Sequence, residues 1–445
     1  TGWPRVGSFL GWQIPACLHC LRAALAGEVK EPKCMVLLAG DAASLSRLAL
    51  EEGLTLDDAD CQASELPPRR LLVLPFCCVF QGYACYVTLQ HFLKHEMGAD
   101  ESETFTQAAV FMHYGKLAMR VGHDVVLPCF SSWMRVNIAM AIMLVGVLVP
   151  PILVYGMGCK WMGLAFIHFS MLGISVGIFE GVYLSVISPL GPATKFWAVL
   201  GPPLGMGTVN ILGLLITSSG VHPVLIYVYV ACCLPLGMAI FWRHAPPPAG
   251  VVHKPVSFAV ALGSAKAWLP KMVPFFVAKL VGSFVMDNTP GWFYVFNDST
   301  GVPFWGPTSA WLMNHDLYFA AVNLSVFFGD TLSRRVPYIV SLSSSRTRMA
   351  LLTSAILTSC LGFYMESFAT AVVTLFAGFV AFWGNGLSYA VSTKFIDSTI
   401  PEEYNRAVYS IWCMTGDLGG ILGASLIDVV NAFFCPRSYP HECLH

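Results

Sequence analysis

Charge is what this chain has least of. Asp, Glu, Lys and Arg make up 11% of its 445 residues, against roughly 25% in a soluble domain, so a water-facing surface along its whole length is excluded. Net charge is −1, which excludes nucleic-acid binding driven by bulk positive charge. There is no P-loop. ATP-driven pumping therefore has no visible apparatus, and neither enzyme activity nor a cofactor is expected. A disulfide framework is also missing. Many of the 15 cysteines sit inside apolar runs such as "FCC" at 76–78 and "ACC" at 231–233, where cysteine behaves as a small hydrophobe. Cys17 and Cys20 in "CLHC" have a CxxC spacing but no second pair nearby, so no metal site is expected.

Apolar length is what the chain has in abundance. Hydrophobic residues make up 56% of it and mean hydropathy is +0.65. A membrane helix needs ~20 mostly apolar residues to cross ~30 Å of hydrocarbon, and runs of that length recur; the short alternating stretches of a membrane β-barrel do not. The expectation is an all-α polytopic membrane protein with about eleven spans in a 6+5 arrangement. Helices are placed near 71–93, 105–130, 136–157, 161–187, 193–217, 223–242, 271–290, 312–331, 348–365, 368–393 and 407–434. Residues 1–70 read as a polar N-terminal segment and 71–243 as a six-helix bundle. The proline-rich "RHAPPPAGVVHKP" introduces a cytoplasmic linker over 244–270, followed by a five-helix bundle over 271–434 and a short tail over 435–445. The second helix carries "HYGKLAMRVGHD", amphipathic enough to lie at the interface instead.

Basic residues orient the spans, because Lys and Arg accumulate in short cytoplasmic loops. With the N-terminus inside, the inner segments hold Arg69, Arg70, Lys116, Arg120, Arg135, Lys195 and Arg406 among others. The outer segments hold only Lys94, Lys160 and Arg437. The outer loops are acidic, as in "HEMGADESE", and one carries the sequon Asn297-Asp298-Ser299. The membrane is expected to be the plasma membrane or an endolysosomal one, with the N-terminus cytoplasmic.

Polar groups in the bilayer cost a few kcal/mol each unless paired or facing a wet cavity, so each marks a candidate site. Glu180 lies near the middle of the fourth span with Gly173, Gly177 and Gly181 at fourfold spacing. Those glycines permit close approach of a neighbour, and Glu180 is either a functional carboxyl or one held by a neighbouring helix. The fifth span contains "LGPPLGMGTVNILG", an interruption that marks a bend or a cavity lining. Asp330 and Arg334, four apart in "FFGDTLSRRV", share a helical face and can pair, whether as a site or as a helix cap. Asn385 lies between glycines in the tenth span. Asp417 and Asp428 lie among glycines in the eleventh, and Asp417 reads as a proton or cation site or as a structural hydrogen-bonding group.

These stretches resemble the equilibrative nucleoside transporters, a family of the wider major-facilitator fold with eleven helices. "DTLSR" at 330–334 is similar to that family's Asp-x-x-Gly-Arg motif, with Ser333 where glycine is usual. "GNGLSY" at 384–389 is similar to its Asn-Gly-Tyr motif, with Tyr389 falling later. "FEGVYLSVISPLGPATKFWAVLGPPLG" matches the spacing from helix 4 to helix 5, with Glu180 where glutamine is usual. The family's Pro-Trp-Asn of helix 1 is absent from "CCVFQGYACYVTLQ", where Gln81 and Tyr83 are the nearest polar residues. The resemblance implies a carrier of nucleosides or nucleobases working by alternating access, facilitative or proton-coupled. It implies substrate contacts from Asp330, Arg334, Glu180, Gln81 and Asn385, gating by Arg135, and a proton or ion site at Glu180 or Asp417. The battenins, endolysosomal membrane proteins, are the second resemblance, carried by "NGLSYAVSTKFIDSTIPEEYNRAVYSIWCMTGDLGG"; they lack the helix 8 Asp/Arg pair.

Overall fold

Backbone N–H and C=O groups in hydrocarbon have no water to bond, so an apolar run must satisfy them within its own helix. The computed structural model describes residues 69–99, 103–246, 258–294, 301–305, 309–340, 344–366 and 370–426, with a few single positions between. Residues 1–68, the sequon at Asn297 and Asp428 lie outside the described residues. The long helices are α1 (Val73–Glu96), α2 (Glu103–Val126), α3 (Ser132–Val149) and α4 (Gly163–Ile187). The next, α5, runs in four pieces: Gly191–Ala198, Gly201–Gly207, Thr208–Gly213 and Leu214–Ser218. After it come α6 (Val224–His244), α7 (Ala265–Tyr294), α8 (His315–Ser333), α9 (Ser345–Glu366), α10 (Ala371–Thr399) and α11 (Glu402–Ser425). Two short strands, Val302–Pro303 and Leu312–Met313, pair antiparallel ahead of α8.

Among the described residues, seven helical runs are long and apolar enough to cross a membrane, and one of them, Gly163–Ser218, contains both α4 and α5. The other long helices are α2, α8 and α11, and each carries buried charged residues. The break in α5 has a local cause. Pro202 and Pro203 open its second piece without backbone donors, and the wider π turns of Thr208–Gly213 follow.

Helix α4 packs on α2 and α3, and α1 packs on α5 and α6. In the other half α10 packs on α8 and α9, and α7 on α11. The halves meet where α2 and α4 face α11 and where α5 faces α8. Close approach of α2 to α4 depends on glycine: a Cβ on Gly177 would sit 2.6 Å from the Lys116 carbonyl oxygen. This contact decides the position of α2. It lies packed along α4 and α11 rather than flat on an interface, and its polar face is turned inward.

Helices run alternately up and down. The end where α1 starts is called proximal here, and the end where it finishes, at Glu96, distal.

Candidate functional site

A cavity of about 730 Å³ lies between the two halves. Its polar lining includes Arg120, Glu180, Asp330, Arg334, Asn385 and Asp417, and distally it reaches the exposed His91 and Ser218.

Arg120 on α2 is the centre of its polar floor. Its Nη2 donates to Glu180 Oε2 at 2.5 Å, its Nε to Asp417 Oδ2 at 2.7 Å and its Nη1 to the Val176 carbonyl at 3.1 Å. Lys116, one turn earlier on α2, pairs with Asp417 Oδ1 at 3.0 Å. The other Glu180 oxygen accepts from the Tyr389 hydroxyl at 3.0 Å, so one carboxylate ties α2, α4 and α10 together. Buried charges of this kind are tolerable only when paired and hydrogen-bonded.

The second polar cluster belongs to α8. Arg334 grips Asp330 in a two-pronged pair, with Nε to Oδ1 at 3.0 Å and Nη2 to Oδ2 at 2.9 Å. Its remaining arm donates to the Val199 carbonyl at 2.8 Å, crossing from α8 to the α5 region. The guanidinium also lies 4.0 Å from the centre of the Tyr389 ring. Helices α8 and α10 touch closely at Gly386, where an added Cβ would meet Ser333 Oγ and the Asp330 carbonyl. Ser333 donates back to that carbonyl at 3.1 Å. A serine is accommodated there because Gly386 supplies the space.

The proximal end is closed by polar contacts across the halves. Lys195 of α5 bonds Asp397 of α10 at 2.6 Å and donates to the Tyr409 hydroxyl of α11 at 2.7 Å. Ser188 also donates to Asp397, at 2.6 Å. A second lock joins α11 to the end of α2 and the start of α3: Arg406 pairs with Asp124 at 3.0 Å, and Asp124 also pairs with Arg135. Arg135 donates further to His123 Nδ1 at 2.9 Å and to the Phe130 carbonyl at 3.0 Å.

The structure therefore brings Glu180, Asp330, Arg334, Asn385 and Asp417 to one cavity and Arg135 to the proximal lock. Gln81 is not brought to the cavity; its amide donates to the Tyr229 hydroxyl of α6 at 3.1 Å. Lys116 and Arg120, assigned to the inner segments by the basic-residue pattern, are buried in the middle of the molecule. Their position four apart inside the second span is the sequence signal that marks them. Two further lining residues, Lys279 and Asp287 of α7, have no role in the sequence reading. Their signal is an intramembrane charge of each sign, eight residues apart.

No family model matches the chain, and no curated protein matches it. Among solved structures it is similar to the crystal structure of a variant of the E. coli fucose:proton symporter, with 13% identity and a TM-score of 0.56 over 83% of this chain and 94% of that one. The chain is thus an all-α protein that crosses the membrane repeatedly and has the major-facilitator fold.

Proposed function

We propose that the chain is a membrane carrier that works by alternating access and moves nucleosides or nucleobases. The observation that carries the reading is a polar cavity between two helical halves, extended to the distal end and latched proximally by Lys195, Asp397 and Tyr409. A cavity of this volume lies within the ~300–1,000 Å³ of small-molecule sites. Closing it distally while opening the proximal contacts would carry a bound molecule across by rocking one half against the other. With the N-terminus cytoplasmic, the cavity faces outward.

The choice of substrate rests on the resemblance around Asp330 and Arg334 and on the lining itself. Phe80, Tyr83, Phe319, Phe327 and Tyr389 offer rings for a flat base, and Asn210, Asn323 and Asn385 offer amides for its polar edge. The test is uptake of radiolabelled uridine and adenosine by cells expressing the chain. Saturable uptake is expected, falling at least about tenfold in Asp330→Asn and in Arg334→Ala, since one charge-assisted hydrogen bond is worth ~1.5–3 kcal/mol. Absence of uptake with the protein at the surface overturns the nucleoside reading.

A further inference from the structure

Among the described residues the cavity is lined by four Lys or Arg side chains and four carboxylates. Three of the carboxylates are matched. Asp417 has Lys116 and Arg120, Glu180 has Arg120, and Asp330 has Arg334. Asp287 has neither an ion pair nor a hydrogen-bond donor among the described residues. Its helical neighbour Lys279 is also without a carboxylate and rests over the Tyr389 and Trp412 rings at 5.5 and 5.2 Å. The two cannot close on each other easily, because eight residues of helix separate their backbones by ~12 Å. Asp287 is not pushed to the lipid. It sits in a notch of α11 made by Gly420, where an added Cβ would collide with Oδ2.

A carboxylate with no cation paired to it in a cavity among membrane-spanning helices depends on water or a small partner to balance its charge, and the smallest partner that removes that charge is a proton. The charged and titratable groups facing it are few. From α2 comes Lys116 and from α11 Asp417, which are paired with each other; from α7 itself, Lys279; from α1, Tyr83; to the cavity lining α10 adds Tyr389 and α9 nothing. Glu180 and Asp417 are each held by a cation at 3.0 Å or less, so Asp287 is the carboxylate left open to exchange.

We propose that Asp287 is the proton-exchange site of the cavity. Facing the distal solution, its carboxylate takes a proton from hydronium and releases water; after the halves rock, the carboxyl returns that proton to water on the other side. Coupling this cycle to a substrate rests on the carrier reading above, whereas the proton site itself does not.

The full chain in proteoliposomes provides two readouts. The first is the infrared C=O band of protonated carboxyls, followed as pH is raised. A band that titrates is expected in wild type, in Glu180→Gln and in Asp417→Asn, lost in Asp287→Asn and regained, shifted, in Asp287→Glu. A titrating band that persists in a folded Asp287→Asn protein, or none in wild type, overturns the proposal. The second is uridine uptake with and without an inward proton gradient. The ratio of the two is expected to exceed one in wild type and to fall to one in Asp287→Asn. A ratio unchanged by that substitution, or uptake driven by sodium and indifferent to pH, overturns the coupling. If wild type takes up no nucleoside but loses its band in Asp287→Asn, the nucleoside reading fails and the proton site stands.

Discussion

Arg120 holds two carboxylates from two helices at once, which makes it the residue whose loss leaves most charge unmatched. Arg120→Ala would strand Glu180 and compel Asp417 to rely on Lys116 alone, a change that costs ~3–5 kcal/mol when a buried pair is broken. Glu180→Gln removes one of the two charges it holds and keeps a hydrogen-bonding group for Tyr389, so it is expected to cost clearly less. Unfolding temperatures of the purified proteins in detergent check the order, and a Glu180→Gln protein less stable than Arg120→Ala would contradict it. At this scale three of the four cavity carboxylates were legible in the sequence, and Asp287 was not. An acidic residue within or at the end of an apolar run is costly unless paired or wetted, and Glu180, Asp330 and Asp417 all line the cavity. The cations were harder to read, because a lysine or arginine within a span looks the same as one marking its cytoplasmic end. Lys116 and Arg120 were obscured in that way. Gln81 went the other way: α1 is buried against neighbours on most of its length, and an apolar helix without a polar face does not disclose which side meets the cavity.

Helices come close here wherever glycine removes a side chain, and the effect can be tested where one contact is isolated. Gly177→Val is expected to drive α4 away from the Lys116 carbonyl and, as overpacking, to destabilise the protein by ~1–3 kcal/mol. A substitution to Ala at Gly263, where an added Cβ meets nothing within 4 Å, should stay within ~0.5 kcal/mol. Thermal unfolding of both separates packing from any general intolerance of glycine replacement, and equal losses would refute the explanation. The existence and order of the helices were readable because hydrocarbon thickness imposes a length that no other class of segment shares. The interruption of α5 was readable for a different reason, since Pro202 and Pro203 cannot donate whatever surrounds them. Partner choice was not readable. Gly173 and Gly177 face α2, but Gly181, on the same fourfold row, faces Ser410 of α11, because a straight row of small residues drifts around the helix as neighbouring helices cross it.

At the scale of the described residues, polar contacts latch one end and the cavity reaches the other, so on the alternating-access reading proposed above the proximal contacts set the balance between two arrangements. Lys195→Ala removes the cation from Asp397 and its contact with Tyr409 together. It is expected to raise the proximally open population, about tenfold for each ~1.4 kcal/mol removed. Labelling of a cysteine introduced at a proximal cavity-facing position should speed up by that factor, and an unchanged rate would mean that the latch lies elsewhere. The sequence could announce a carrier-like architecture but not this state, because a latch between α5, α10 and α11 joins residues about 200 positions apart and leaves no periodic trace. The balance of charge in the cavity has one more consequence. Four cations and four carboxylates line the cavity; with every carboxylate ionised, the proposed carrier would move no net charge as it resets empty, whereas a proton on Asp287 adds one. A membrane voltage, worth ~2.3 kcal/mol per elementary charge per 100 mV, would then act on the loaded half of the cycle alone, so a nucleoside carried with that proton should produce a current and one exchanged without it should be electrically silent.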